Sequence, residues 1–239
     1  MKLSMNRASF LSAAPLAAAA FARARAAGVP GGSEFVERRA NFDEAAFDRL
    51  VGGDADIKQV WEAVAFHPAI FNNVKNALNG LLYGFEYDPT RIKVVVAPHG
   101  PSSAYTYSDY IWQKYRIGDF FGIKDASGAT IARNTFLQPA RALDRNAVPD
   151  GPNSFYQDTS IATLQQRGVI FLTCHTAVEE QARALVQGGY APAGMSSSDV
   201  ADDMLTHLID GTSVVPAMVA AIGVLQQRYH YSYITLTFA

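Results

Sequence analysis

Apolar and polar positions alternate in two distinct periods along this chain, and the switches between them predict its elements. Val94-Val95-Val96 is a continuous β-branched run, as expected of a strand covered on both faces. Val169-Ile170-Phe171-Leu172 is a second such run, and Thr212-Ser213-Val214-Val215 a shorter one. Tyr231-Ser232-Tyr233-Ile234-Thr235-Leu236 alternates with period two and predicts a closing strand. Helical spacing appears at Ile70, Phe71, Val74, Ala77, Leu78, Leu81 and Leu82, which predicts a helix over 69–83 closed by Gly84. Ile57, Val60, Trp61 and Val64 share that spacing and predict an earlier helix over 57–65, broken by Pro68. A still earlier helix follows Asn41, the expected N-cap, and ends at Gly52-Gly53. Further helices are expected over 108–115, over 159–167 with a Gly168 stop, from Ala177 to Gly188-Gly189, after the cap Ser196-Ser197-Ser198-Asp199, and over 217–229. Helix and strand thus alternate from residue 69 onward. That order predicts a mostly parallel sheet with helices on both faces. Residues 101–159 are the least regular stretch, with an expected hairpin turning at Ser127-Gly128 and a loop over 146–153. A segment this long inside a compact domain suits a lid or a subunit contact. Its aromatics, Tyr105, Tyr107, Tyr110, Trp112, Tyr115, Phe120 and Phe121, are expected in core and interface.

The first 26 residues change the picture of where the protein works. Lys2 and Arg7 precede an apolar, Ala-rich stretch from Ala8 to Phe21, and Ala24-Arg25-Ala26 is a small-x-small cleavage site. This is the three-part plan of a secretory signal peptide, and its apolar stretch is too short for a membrane span. Asn6-Arg7-Ala8-Ser9-Phe10-Leu11 resembles a twin-arginine signal with Ala8 in place of the second arginine, so export by the Sec route or by a degenerate twin-arginine route is expected, to the periplasm or beyond. Removing 1–26 takes away Lys2, Arg7, Arg23 and Arg25 and no acid, so the net charge moves from −2 to −6. No basic face suggests nucleic acid, and no membrane span is expected once the signal is gone. The expected organisation is a signal peptide over 1–26, a linker and N-terminal helical extension over 27–90, and an α/β domain over 91–239 that carries an insertion at 101–159.

Chemistry narrows to Cys174, the one cysteine of the chain. It stands where a buried strand hands over to a helix, and the free N–H groups of a helix start favour a thiolate. The other reading is a small buried hydrophobe, as free cysteines commonly are. Pro98-His99-Gly100 ends the first strong strand, so His99 is expected at the same sheet end as Cys174, where ligands of open α/β sheets gather. His99 would help to position substrate or move a proton, or else it bonds the loop. His67, just before Pro68, has no second ligand nearby and is read as structural. His-x-x-x-His, Gly-x-Gly-x-x-Gly, Walker, Gly-x-Ser-x-Gly and Cys-x-x-Cys sequences are absent, so zinc-protease, dinucleotide, P-loop, α/β-hydrolase and dithiol readings lose support. No cofactor and no metal is called for. The acidic pairs Glu179-Glu180 and Asp202-Asp203 are read as solvated helix faces.

Three segments resemble the DsrE/DsrF-like family of sulfur-relay proteins. They are Lys93 to Gly100 as first strand, Leu164 to Cys174 as helix, strand and cysteine, and Val214 to Ile234 as the closing block. The resemblance covers about 91–239, interrupted by 101–159. It implies a three-layer α/β/α, flavodoxin-like fold and assembly into a homo-oligomer. It also implies a cysteine, here Cys174, that carries sulfur as a persulfide between a donor and an acceptor, either proteins or small sulfane-sulfur compounds. The expected function is that of an exported sulfur carrier or sulfurtransferase. The alternative is a non-catalytic binding or structural protein on the same fold with a buried cysteine. A third reading is a small-molecule or flavin-type site at the sheet crevice.

Overall fold

The computed structural model describes residues 42–237, so the expected signal peptide lies outside the described residues. Five strands form one all-parallel sheet: β1 (Ile57–Ala63), β2 (Ile92–Pro98), β3 (Val169–Cys174), β4 (Thr212–Val215) and β5 (Ser232–Thr235), in the spatial order β4-β3-β2-β1-β5. Helices cover both faces. Helix α1 (Glu44–Val51) and the helix between β4 and β5 (Met218–Tyr229) lie on one side. Helix α2 (Ala69–Asn79) and the helix before β3 (Ile161–Gln166) lie on the other. The remaining helices are α3 (Asp109–Lys114), α4 (Ile117–Phe121), α6 (His175–Gln187) and α7 (Ser197–Thr206); the helix before β3 is α5 and the last is α8. The fold is a three-layer α/β/α one, flavodoxin-like in its layering, although its strand order is not that of flavodoxin.

β2 lies at the centre, and its sequence explains why. Val94 and Val96 fill the α2/α5 face while Val95 and Ala97 fill the α1/α8 face, so apolar residues are needed at every position. β4 and β5 are the edges, and β5 is largely exposed.

One predicted element is corrected. Residues 57–63 form strand β1 and not a helix, and β1 sits inside the sheet, paired with β2 from Ile57↔Ile92 to Ala63↔Pro98 and with β5 from Gln59↔Ser232 to Glu62↔Thr235. Residues ahead of 91 therefore supply sheet core. The apolar positions fit a helix, but a strand buried on both faces also fills neighbouring positions: Val60 packs on the α1/α8 face and Trp61 and Ala63 on the other. Partners on both sides decide the outcome over local preference. The first helix is capped by Asp43, whose Oδ1 accepts from Ala46 N at 2.8 Å, and not by Asn41, which lies outside the described residues.

The 101–159 segment supplies core through its first turns, while most of 119–153 lies at the surface. Its first turns bury Tyr105, Tyr107, Ile111, Trp112, Tyr115 and Ile117 completely. With Val178, Ala182 and Leu185 of α6 and Val200 and Met204 of α7, most of these form a third apolar cluster. The expected hairpin is present, with a Lys124↔Thr130 bridge and Gly128 at φ +85°. It backs onto α4 so closely that a Cβ on Gly118 would run into the Ile131 carbonyl oxygen. Gly118→Ala is expected to destabilise the chain by about 1–3 kcal/mol, the usual cost of overpacking. Urea denaturation should show a lowered midpoint with an unchanged slope.

Asp202-Asp203 is only in part a solvated face. Asp203 accepts from Tyr115 Oη at 2.7 Å and Lys114 Nζ at 3.0 Å, which fastens α7 to α3.

Candidate functional site

Cys174 is the last residue of β3, and Val215, its partner in register, is the last of β4. Each strand hands over to a helix almost at once, α6 at His175 and α8 at Met218. The two helix starts are tied together, because Thr176 donates from N (3.3 Å) and Oγ1 (2.9 Å) to Pro216 O. The chain leaves β4 for the α1 face of the sheet, whereas α6 runs into the third cluster. Divergence of this kind marks the place where ligand crevices form in open α/β sheets, at the carboxyl ends of adjacent strands. Cys174 Sγ lies between the two helix starts and accepts from two backbone donors, Ala177 N of α6 at 3.4 Å and Met218 N of α8 at 3.3 Å. Two helix N-termini thus converge on one sulfur.

The sulfur is also buried. Cys174 is 5% exposed, among Leu172, Val215, Ala177 and Met218. Burial pushes the thiol pKa up, and the N–H groups of Ala177 and Met218 pull the other way without cancelling it. Glu180 adds a smaller upward push.

His99 follows β2 directly. Its Nε2 lies 2.9 Å from Glu62 Oε1, and the other Glu62 oxygen accepts from the Tyr233 hydroxyl. Glu62 and His99 are both mostly buried, and Glu62 lines a small depression of about 90 Å³ with Val64, Ile70, Thr235 and Leu236. With the carboxylate at Nε2, a neutral His99 carries its proton there and leaves Nδ1 as the acceptor. Ser102 holds the backbone at this corner, accepting from His99 N at 3.0 Å and donating to Ala63 O.

The structure brings Cys174 and His99 to the carboxyl ends of adjacent strands, as expected. It does not join them: among the described residues His99 is bonded to Glu62, and Cys174 to Ala177 and Met218. An indirect link exists through Gln181 of α6, which accepts from Tyr107 Oη and donates from Nε2 to Gly100 O at 2.6 Å. That pair pins the helix after Cys174 to the loop after His99. Glu62, Tyr233 and Gln181 were not found from the sequence. Glu62 fell in the stretch read as helix, and Tyr233 meets it only when β5 joins β1. His67 is structural as expected, with Nδ1 accepting from Ala69 N at 3.2 Å. His175 points along α6, its Nδ1 3.9 Å from Glu179 Oε1. Among the described residues no cluster of three His, Cys, Asp or Glu side chains could hold a metal ion, and no helix is long and apolar enough to cross a membrane.

No family model and no curated protein matches the chain. Among solved structures it is similar to MTH1491, a protein of unknown function from Methanobacterium thermoautotrophicum. The identity is 12% and the TM-score 0.37, over 76% of this chain and 100% of that one.

Proposed function

We propose that the chain is an exported sulfur carrier of the DsrE-like kind, with Cys174 as the acceptor. The observation that carries this reading is the meeting of two helix N-termini on one sulfur, since two backbone N–H groups and two positive dipole ends suit an anionic sulfur. At rest the thiol is neutral. A persulfide anion, R–S–S⁻, delivers its terminal sulfane sulfur to the Cys174 sulfur. The new S–S bond forms as the donor S–S bond breaks, and the Cys174 proton passes to the departing thiolate, which leaves as R–SH. Cys174 then carries the negative persulfide, with the Ala177 and Met218 N–H groups bonded to its inner sulfur. An acceptor thiol reverses the same exchange, and no outside oxidant or reductant is consumed. The Glu62–His99 pair serves this crevice as a proton-handling group reached through solvent or substrate, because His99 has no direct bond to the thiol. The same resemblance implies assembly of several copies.

Intact mass after incubation with polysulfide tests this reading. The unmodified chain should gain sulfur, lose it to dithiothreitol, and gain none as Cys174→Ala. A second reading is favoured by burial: at 5% exposure among apolar neighbours, Cys174 also fits a packing residue in a non-catalytic binding or structural protein. An unmodified chain that takes up no sulfur would replace the carrier with that reading.

A further inference from the structure

Two cations meet at the opposite end of the sheet from Cys174. Lys75 lies on α2 and is only 9% exposed, and Arg167, just before β3, is partly buried. Lysines and arginines are rarely buried without a paired acid. Every hydrogen-bond partner here is neutral. Lys75 Nζ donates to Gln157 Oε1 at 3.1 Å, and Arg167 donates to Asn79 Oδ1 at 2.7 Å and Tyr156 O at 3.3 Å. The Arg167 guanidinium also lies 5.4 Å from the Tyr156 ring centroid. The Tyr83 phenol does not neutralise the charge, since burial and the neighbouring Tyr156 hold its pKa up to about 12. Among the described residues neither cation forms an ion pair with a carboxylate, and desolvation and Arg167 together hold the Lys75 pKa down. A lysine and an arginine are thus held side by side in a partly dry place, with donors to spare and no counter-charge among the described residues.

We infer that Lys75 and Arg167, framed by Asn79, Tyr156 and Gln157, form a binding site for a small tetrahedral oxyanion such as phosphate or sulfate. The Arg167 fork suits two oxygens of such a group, and the Lys75 ammonium suits a third as a point charge. The anion would supply the charge the fold leaves out and would lock α2 to the turn at 155–157. The site lies one strand length from Cys174, roughly 20 Å at the usual rise per residue, so it does not depend on the thiol.

The test is thermal unfolding of the full chain in sodium phosphate or sulfate against sodium chloride at matched ionic strength. Both oxyanions should raise Tm saturably by roughly 3 °C, as a ligand bound only by the folded state does. Lys75→Met and Arg167→Gln should abolish the increment, and Lys75→Met should leave Tm in chloride no lower, because a desolvated charge is removed. Equal rises in all three proteins would mean general salt exclusion and would overturn the site. If either variant does not fold, the ³¹P line width of inorganic phosphate decides. Saturable broadening by the unmodified chain, reversed by excess sulfate, supports the site, and an unaffected line overturns it.

Discussion

Replacing Trp112 with alanine is expected to cost roughly 3–5 kcal/mol, the range for deleting a large buried aromatic. Trp112 is completely buried at the centre of the third apolar cluster, and its Nε1 donates to Ala104 O at 3.0 Å. Both the cavity and the lost indole hydrogen bond contribute, although the Ala104 carbonyl keeps the Tyr107 N–H as a donor, and the whole is a large share of the 5–15 kcal/mol that holds an ordinary domain together. Trp112→Phe should recover much of the packing and lose only the indole hydrogen bond, since Tyr107 N still donates to the Ala104 carbonyl, so its cost should be smaller than that of Trp112→Ala. Far-UV circular dichroism through a urea titration checks both values. The effect should reach the crevice as well, because the same cluster holds Val178, Ala182 and Leu185 of α6, the helix that starts beside Cys174. A Trp112→Ala chain that still folds should therefore expose Cys174 to alkylation sooner than the unmodified chain does.

Contacts made far along the chain also explain which parts were legible beforehand. β2 and β3 announce themselves because strands covered on both faces must be apolar at consecutive positions, and Val94 to Val96 and Val169 to Leu172 are. α7 announces itself through Ser196 and Asp199, which form a reciprocal capping box. The place of Cys174 and His99 at the sheet end was legible because Cys174 ends the strand that one such run builds and His99 follows the strand built by the other. β1 was not legible, since Ile57, Val60, Trp61 and Val64 fit a helix equally well. Only its pairing with β2 and with β5, from the far end of the chain, decides for a strand. Glu62 and Tyr233 were hidden for the same reason: the carboxylate and the hydroxyl meet across a strand pair that no local pattern encodes. The burial of Cys174 was one of two readings left open by the sequence, because it is decided by Met218 and Val215 arriving from a later β4–α8 turn.

Alkylation of Cys174 in the folded chain is expected to run about tenfold or more slower near neutral pH than in the urea-unfolded chain, and to rise only above the ordinary thiol range. Burial is the cause: the thiolate must form in a nearly dry site, and the Ala177 and Met218 N–H groups offset only part of that cost. The same shift ties stability to pH. The folded chain keeps its thiol proton to higher pH than the unfolded chain, so between the ordinary thiol value of 9.0 and the raised folded value it binds more protons. Stability from this group is fully present below that window and is lost as pH rises through it. The buried tyrosines Tyr105, Tyr107 and Tyr231 are shifted in the same direction from a higher starting point of 10.0, so their losses begin later. Urea midpoints measured across the alkaline range for the unmodified chain and Cys174→Ala separate the two contributions, and the difference between the curves should shrink as pH passes 9.0. Once Cys174 carries a second sulfur, the charge sits on a more acidic group and the slope should flatten. An alkylation profile with a depressed midpoint would mean that the two helix ends outweigh burial and that the thiol is ionised at rest.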